Sequence, residues 1–173
     1  MFEKLKQYVF DYRLKHTPKE SAQWLEWDNV RNILVLYESD YIERNEVIKA
    51  MRDKLLLEEK DVTIWGYVAK KELTSLILPQ SRILGLKDFN WLDAPKEEIV
   101  DDLQKRTYDL LLDLTQHPCL PLRYLGLYAH AYMKVGMHIS EGVHDFMVSM
   151  PAEETPEHLF AEIKHFLMTI KQG

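Results

Sequence analysis

The sequence predicts an α/β protein with a mostly parallel sheet, and the segment from Tyr108 to Met137 gives the clearest indication. A nearly continuous apolar strand, Tyr108–Thr115, is followed by a polar loop, Gln116–Pro121. An apolar helix, Leu122–Tyr132, and a short strand, Met133–Met137, come next. Two apolar strands joined through one helix are typical of a parallel pair that is covered on both faces.

The first half of the chain shows the same alternation. Asn32–Glu38 and Asp61–Ala69 are predicted strands, rich in β-branched, leucine and aromatic residues. The helix between them is expected to begin at Asp40, whose carboxylate can accept a bond from a first-turn amide, while Glu43 can reach back.

An additional helix is predicted at the N-terminus. Residues 2–15 place Phe2, Leu5, Val9 and Tyr12 on one apolar face. Residues 16–31 then form an irregular connection that carries Trp24 and Trp27.

The remaining elements follow from turn and capping residues. They are a helix over Lys70–Leu78, a third strand over Arg82–Leu86 and Asp88–Trp91, a helix from Pro95 to Arg106, a hairpin-like turn at Ser140–Gly142, a strand over His144–Ser149, and a last helix capped by Thr155.

These elements predict a doubly wound sheet of five to six strands, of the Rossmann-like or flavodoxin-like kind. Right-handed crossovers and the two most apolar strands at the centre imply the order 3-2-1-4-5-6. Residues 1–31 are expected to form an added helix and connecting loop, and residues 32–173 the α/β unit, within one compact domain overall.

Composition excludes several function classes. The 173 residues carry a net charge of −6 and lack a long basic cluster, which argues against nucleic-acid binding. The single cysteine excludes an internal disulfide, and no apolar run approaches the length of a membrane span. We therefore expect a soluble cytoplasmic protein with no membrane contact.

Ionisable residues cluster where the strands end, which is where open α/β sheets bind ligands. Asp40, Asp113 and His117 are the candidate catalytic residues, and Glu38, His117 and His138 are weaker candidates for metal ligands. The alternative interpretation is structural: Asp40 caps a helix, Asp113 accepts bonds from loop amides, and the histidines are solvated.

No cofactor is predicted. The loop after the first strand, Glu38-Ser39-Asp40, has no glycine and two acidic residues, so NAD, FMN and ATP should not bind. Cys119 precedes a helix N-terminus, where a thiolate is favoured. With His117 two residues away it is a less favoured candidate for a nucleophile.

Aromatic residues suggest association. Tyr124, Tyr128 and Tyr132 recur at helical spacing, and Trp24 and Trp27 lie close together. Either set could form a homodimer or protein-partner interface. In the competing arrangement the protein is a monomer whose N-terminal segment covers a sheet edge and buries both tryptophans.

Two resemblances bear on function. The opening helix, the segment Lys87–Trp91 and the block Tyr108–Gly136 resemble an uncharacterised family of short α/β proteins from Bacteroides-like bacteria. That family implies no activity.

The strand Tyr108–Leu114, the helix Leu122–Ala131 and Lys134-Val135-Gly136 are similar to the N-terminal half of heptosyltransferase-like glycosyltransferases. In that resemblance Asp40 matches a catalytic aspartate, although Glu38-Ser39 replaces the family's glycine-containing loop. The second, nucleotide-binding domain is absent from this sequence.

The preferred hypothesis is therefore a non-catalytic binding or interaction module. The alternative is an enzyme, or a partner-dependent subunit related to glycosyltransferases, that uses a cleft at the carboxyl ends of strands 1 and 4.

Overall fold

The computed structural model describes residues 1–39, 42–69, 81–137, 142–151 and 155–170. The strands are β1 (Asn32–Glu38), β2 (Asp61–Tyr67), β3 (Ser81–Leu84), β4 (Thr107–Asp113), β5 (His130–Met137) and β6 (Phe146–Val148). The helices are α1 (Phe2–His16), α2 (Ile42–Leu57), α3 (Glu97–Gln104), α4 (Leu120–Tyr128) and α5 (Pro156–Thr169).

The strands form one sheet in the order β3-β2-β1-β4-β5-β6, and every neighbouring pair is parallel. This confirms the predicted doubly wound, Rossmann-like architecture and its order. β1 and β4 lie at the centre, where Val35 is opposite Leu112.

The expected hairpin-like connection late in the sheet is wrong. β6 runs parallel to β5, with Val135 opposite Phe146. The backbone N–H of Asp145 donates to the Lys134 carbonyl at 2.8 Å, so the chain has already returned along β5 before β6 begins. Glycine and serine mark a change of direction in a sequence, but they do not fix how far the chain returns.

Helices cover both faces of the sheet. On one face, α2 and α5 bury Ile48, Leu55 and Ile163 against β1, β2, β4 and β5. On the other face, α3 and α4 bury Leu103 and Leu125 against the same sheet. The central strands therefore lack an exposed face, which explains their almost continuous apolar sequence.

Several helices and strands begin or end at other residues than the sequence predicts. α4 ends at Tyr128 and β5 begins at His130, so Tyr132 lies on a strand rather than on the helix. The third strand is restricted to β3, because Leu86–Asp88 forms a 3₁₀ turn in which the Asp88 carboxylate accepts the Gly85 N–H at 2.8 Å. The predicted helix at Lys70–Leu78 falls outside the described residues.

The N-terminal helix is present, and it packs through a different face from the apolar stripe seen in the sequence. α1 packs on α4 through Phe10, whose side chain is fully buried. The Phe10 and Tyr124 rings meet edge-on, with their centres 4.8 Å apart. Phe2, Leu5 and Tyr12 are exposed instead. Helical spacing identifies an apolar stripe but not which stripe finds a partner.

The connection after α1 packs over the α5 side of the sheet. Trp27 is buried, and its indole N–H donates to Glu58 at 2.8 Å. The Trp24 and Phe146 rings contact each other edge-on, with their centres 4.8 Å apart. No helix in the described ranges has the length and apolar character that crossing a bilayer requires.

Replacement of Phe10 by alanine tests the docking of α1. The substitution leaves a cavity between α1 and α4, so we expect a loss of about 3–5 kcal/mol in the free energy of unfolding, measured by urea denaturation. The exposed Tyr8→Ser variant, studied at low protein concentration, should stay within about 0.5 kcal/mol of the parent. Equal stability of Phe10→Ala and the parent would contradict the packing.

Candidate functional site

Asp113 occupies the carboxyl end of β4 and is almost completely buried. One carboxylate oxygen, Oδ1, accepts the backbone N–H of Thr115 at 3.0 Å. The other, Oδ2, lies 2.9 Å from Nε2 of His144. A carboxylate in so apolar a strand requires such partners, and the bond to a loop amide is of the kind expected from the sequence.

His144 was not predicted as a site residue. It belongs to the connection before β6, 31 residues along the chain from Asp113. Its side chain is 5% exposed, and its Nδ1 atom is buried with no hydrogen-bond partner in the part of the chain that the structure describes. No sequence spacing could have indicated this pair, because only the parallel return of the chain brings the two residues together.

A glycine makes the Asp113–His144 contact possible. Gly136 on β5 lies directly opposite Asp113 on β4. A Cβ atom at Gly136 would lie 2.7 Å from both Cε1 and Nε2 of His144, closer than atoms can approach. The missing side chain is therefore the space that the imidazole ring fills.

The other strand-end candidates form a separate group. The Arg44 guanidinium donates to Oε2 of Glu38 at 2.6 Å, and Nδ1 of His117 lies 3.5 Å from that same oxygen. Glu38 is thus part of an ion pair. Asp40 and His138 lie outside the described residues. Among the residues that are described, no three His, Cys, Asp or Glu side chains converge to hold a metal ion.

The cavity beside Asp113 and His144 is small. Asp113, Thr115, His117, Cys119 and His144 contribute to the lining of a cavity of about 10 Å³. That volume corresponds to roughly one water molecule. Within the described residues, the space beside Asp113 is therefore too small for a substrate.

Unsatisfied polar atoms concentrate around the small cavity. Among the described residues, the Thr115 hydroxyl, Nε of Arg123 and Nδ1 of His144 are buried without partners, and all three residues line this cavity. Burial also lowers the pKa of the Arg123 guanidinium. Because buried polar atoms are nearly always hydrogen-bonded in native proteins, this concentration indicates a small polar occupant.

A larger cavity lies elsewhere, between the segment after α1, the end of α4 and the start of β5. Its volume is about 360 Å³. Lys134 lies in its wall, and its ammonium donates to the Gly126 carbonyl at 2.8 Å. Burial lowers the pKa of Lys134. Its polar contacts are to the end of α4, so we assign this lysine a capping role.

Replacing Asp113 should show that the buried carboxylate is structural. Asp113→Ala leaves the Thr115 amide and His144 without their acceptor, at an expected cost of about 1–3 kcal/mol in the free energy of unfolding. Urea denaturation measures this cost, with the exposed Asp101→Ala as the control variant. Identical unfolding of Asp113→Ala and the parent would contradict the role.

Comparison with known proteins gives a family and a fold. No curated protein matches the sequence. The structure is similar to that of Escherichia coli heptosyltransferase WaaC with ADP, with a TM-score of 0.50 and 12% sequence identity. The similarity covers 81% of this chain and 48% of that one, so the chain spans about half the length of its neighbour. At this identity the likeness shows a shared fold and no more.

The sequence matches the model of a family of unknown function, DUF6913, over residues 3–170. This agrees with the resemblance to an uncharacterised family. Because the match extends over nearly the whole sequence, the chain belongs to the DUF6913 family.

Proposed function

We propose that the protein is a non-catalytic interaction module that associates with a second copy of itself through α1. The observation that carries this proposal is the outer face of that helix. Four large apolar side chains at 4-3-4 spacing are all more than 40% exposed there. They are Met1, Leu5, Tyr8 and Tyr12.

The spacing of this stripe supports a helical partner. Alternating steps of four and three residues form the seam by which two helices pair in a coiled coil. A second copy presents the same seam, and a two-fold pair is the commonest closed assembly. Tyrosine is also enriched at the centre of protein interfaces.

Most of the aromatic side chains expected at an interface pack within this chain. Tyr124 is fully buried and Trp27 is nearly so, while Trp24 packs against Phe146. Tyr132 lies on β5, so the three tyrosines do not share a helix face. The interface is therefore assigned to α1.

The strand ends support a non-catalytic function. The Asp113 carboxylate bonds to Thr115 and His144, and Glu38 bonds to Arg44. A general acid or base must reach a substrate proton directly or through one water. The cavity beside Asp113 has a volume of only about 10 Å³ and leaves no room for a substrate.

Light scattering over a concentration series tests the assembly. We expect the mass to rise from 20.6 kDa toward twice that value as concentration increases. The double variant Leu5→Ser/Tyr8→Ser removes the middle of the stripe and should remain monomeric. Leu57→Ser removes an exposed leucine from the end of α2, away from this stripe, and should behave like the parent. A constant mass of the parent at millimolar concentration would contradict the proposal.

A partner-dependent subunit related to glycosyltransferases is the second candidate. The fold shared with a heptosyltransferase structure over about half of that chain favours it. Such a subunit would acquire its nucleotide site only with a second domain.

The isolated chain is accordingly expected not to bind NAD, FMN or ATP. The loop after β1 has no glycine, and Glu38 at its start repels phosphate. Isothermal titration calorimetry should detect no binding at micromolar concentrations. The same titration with ADP-sugars should also detect no binding to the isolated chain, and micromolar affinity for a nucleotide sugar would overturn the interaction module.

A further inference from the structure

We propose that Cys119 is a modification site: a thiol that His144 and Asp113 activate toward hydrogen peroxide. Cys119 and His144 line the same small cavity, and Asp113 completes the group. This inference is independent of the interaction surface on α1.

The position of Cys119 favours its ionised form. Cys119 is the N-cap residue of α4, a helix of nine residues, and its thiol is half-buried. Backbone N–H groups at a helix N-terminus stabilise a thiolate, which is the reactive form of cysteine.

His144 provides a base that can accept the proton of the Cys119 thiol. An ionised Asp113 can only accept hydrogen bonds, so the contact at 2.9 Å assigns the proton to Nε2 of His144. Nδ1 then carries a lone pair, and this atom is buried without a partner among the described residues. A base oriented by a carboxylate and placed beside a thiol is the arrangement that activates cysteine nucleophiles.

The size of the cavity decides the oxidant. About 10 Å³ holds one water-sized molecule, which admits hydrogen peroxide but no peptide, ester or sugar. The Thr115 hydroxyl and Nε of Arg123, which also lack partners among the residues described, can bond to the peroxide oxygens.

The oxidation of Cys119 consumes one molecule of hydrogen peroxide. The Cys119 thiol gives its proton to Nδ1 of His144, and the thiolate sulfur attacks one oxygen of hydrogen peroxide. An S–O bond forms and the O–O bond breaks. The departing hydroxide takes the proton back from Nδ1 and leaves as water, so the products are a sulfenic acid and water.

Reversal requires an external thiol, because the sequence contains one cysteine and offers no internal resolving partner. A low-molecular-weight thiol condenses with the sulfenic acid to a mixed disulfide and water. A second such thiol then restores Cys119.

The rate of sulfenic acid formation tests the proposal. Peroxide is added to the folded protein at pH 7, the product is trapped with a cyclic 1,3-diketone, and Cys119 is read by mass spectrometry. An ordinary cysteine is only about 3% ionised at this pH, so full ionisation can raise the rate by at most about 30-fold. We expect the folded protein to react about tenfold faster than the same chain unfolded in urea.

Histidine variants identify the base. His144→Asn should reduce the folded rate to that of the unfolded chain, and the remote, exposed His165→Asn should leave it unchanged. His117 lines the same cavity, so loss of the enhancement in His117→Asn but not in His144→Asn would overturn the assignment.

A pH profile of the parent provides a second readout that does not depend on the folding of a variant. The ionisable groups that line the cavity are Asp113 from β4, His117 and Cys119 from the segment before α4, Arg123 from α4, and His144. Between pH 6.5 and 8.5 the folded rate should rise less than the unfolded rate, which should rise about 30-fold or more as the free thiol ionises. A folded rate that equals or falls below the unfolded rate across this range would overturn the proposal.

Discussion

The parallel pairing of β1 with β4 at the centre of the sheet is the constraint on which the other features depend. Both strands are buried on both faces, so their backbone groups must bond to neighbouring strands. The pairing fixes Leu36 opposite Asp113. One residue further along, the Leu114 N–H donates a hydrogen bond of 2.9 Å to the Leu36 carbonyl. The carboxyl ends of both strands are thereby brought to one edge.

The polar group at that edge exists because two strands and one connecting segment contribute to it at one level. β4 provides Asp113, β5 provides the space at Gly136, and the connection to β6 places His144 in that space. Each contribution is needed, since an imidazole without the glycine would collide with the strand. The result is a buried carboxylate whose bonds hold the loop before α4, where Cys119 lies.

The two faces of α1 carry different roles. Its inner face is fixed by Phe10 against Tyr124 and by the Arg123 guanidinium 4.2 Å from the centre of the Phe10 ring. Its outer face exposes large apolar side chains that nothing in the described chain covers. Exposed apolar surface of this kind marks interaction sites, which is why the proposed function rests on this helix rather than on the strand ends.

The sequence by itself determined the fold class and the strand order. The apolar runs at Asn32–Glu38 and Tyr108–Asp113 are too continuous for a half-exposed sheet, and the helices between the strands require parallel crossovers. It also indicated that Asp113 must bond within the protein, because an unpaired carboxylate among leucines is too costly.

Only the tertiary structure decided the partner of Asp113, the packing face of α1 and the direction of β6. The His144 contact and the parallel return depend on residues far apart in the chain, and periodicity describes only neighbours along one element. In α1 the stripe of Leu5 and Tyr12 and the side of Phe10 are both compatible with a helix, and the fit of one ring against Tyr124 selects between them. The face that packs is selected by the complementary shapes of side chains on different elements. The order of residues along one helix carries no information about those shapes.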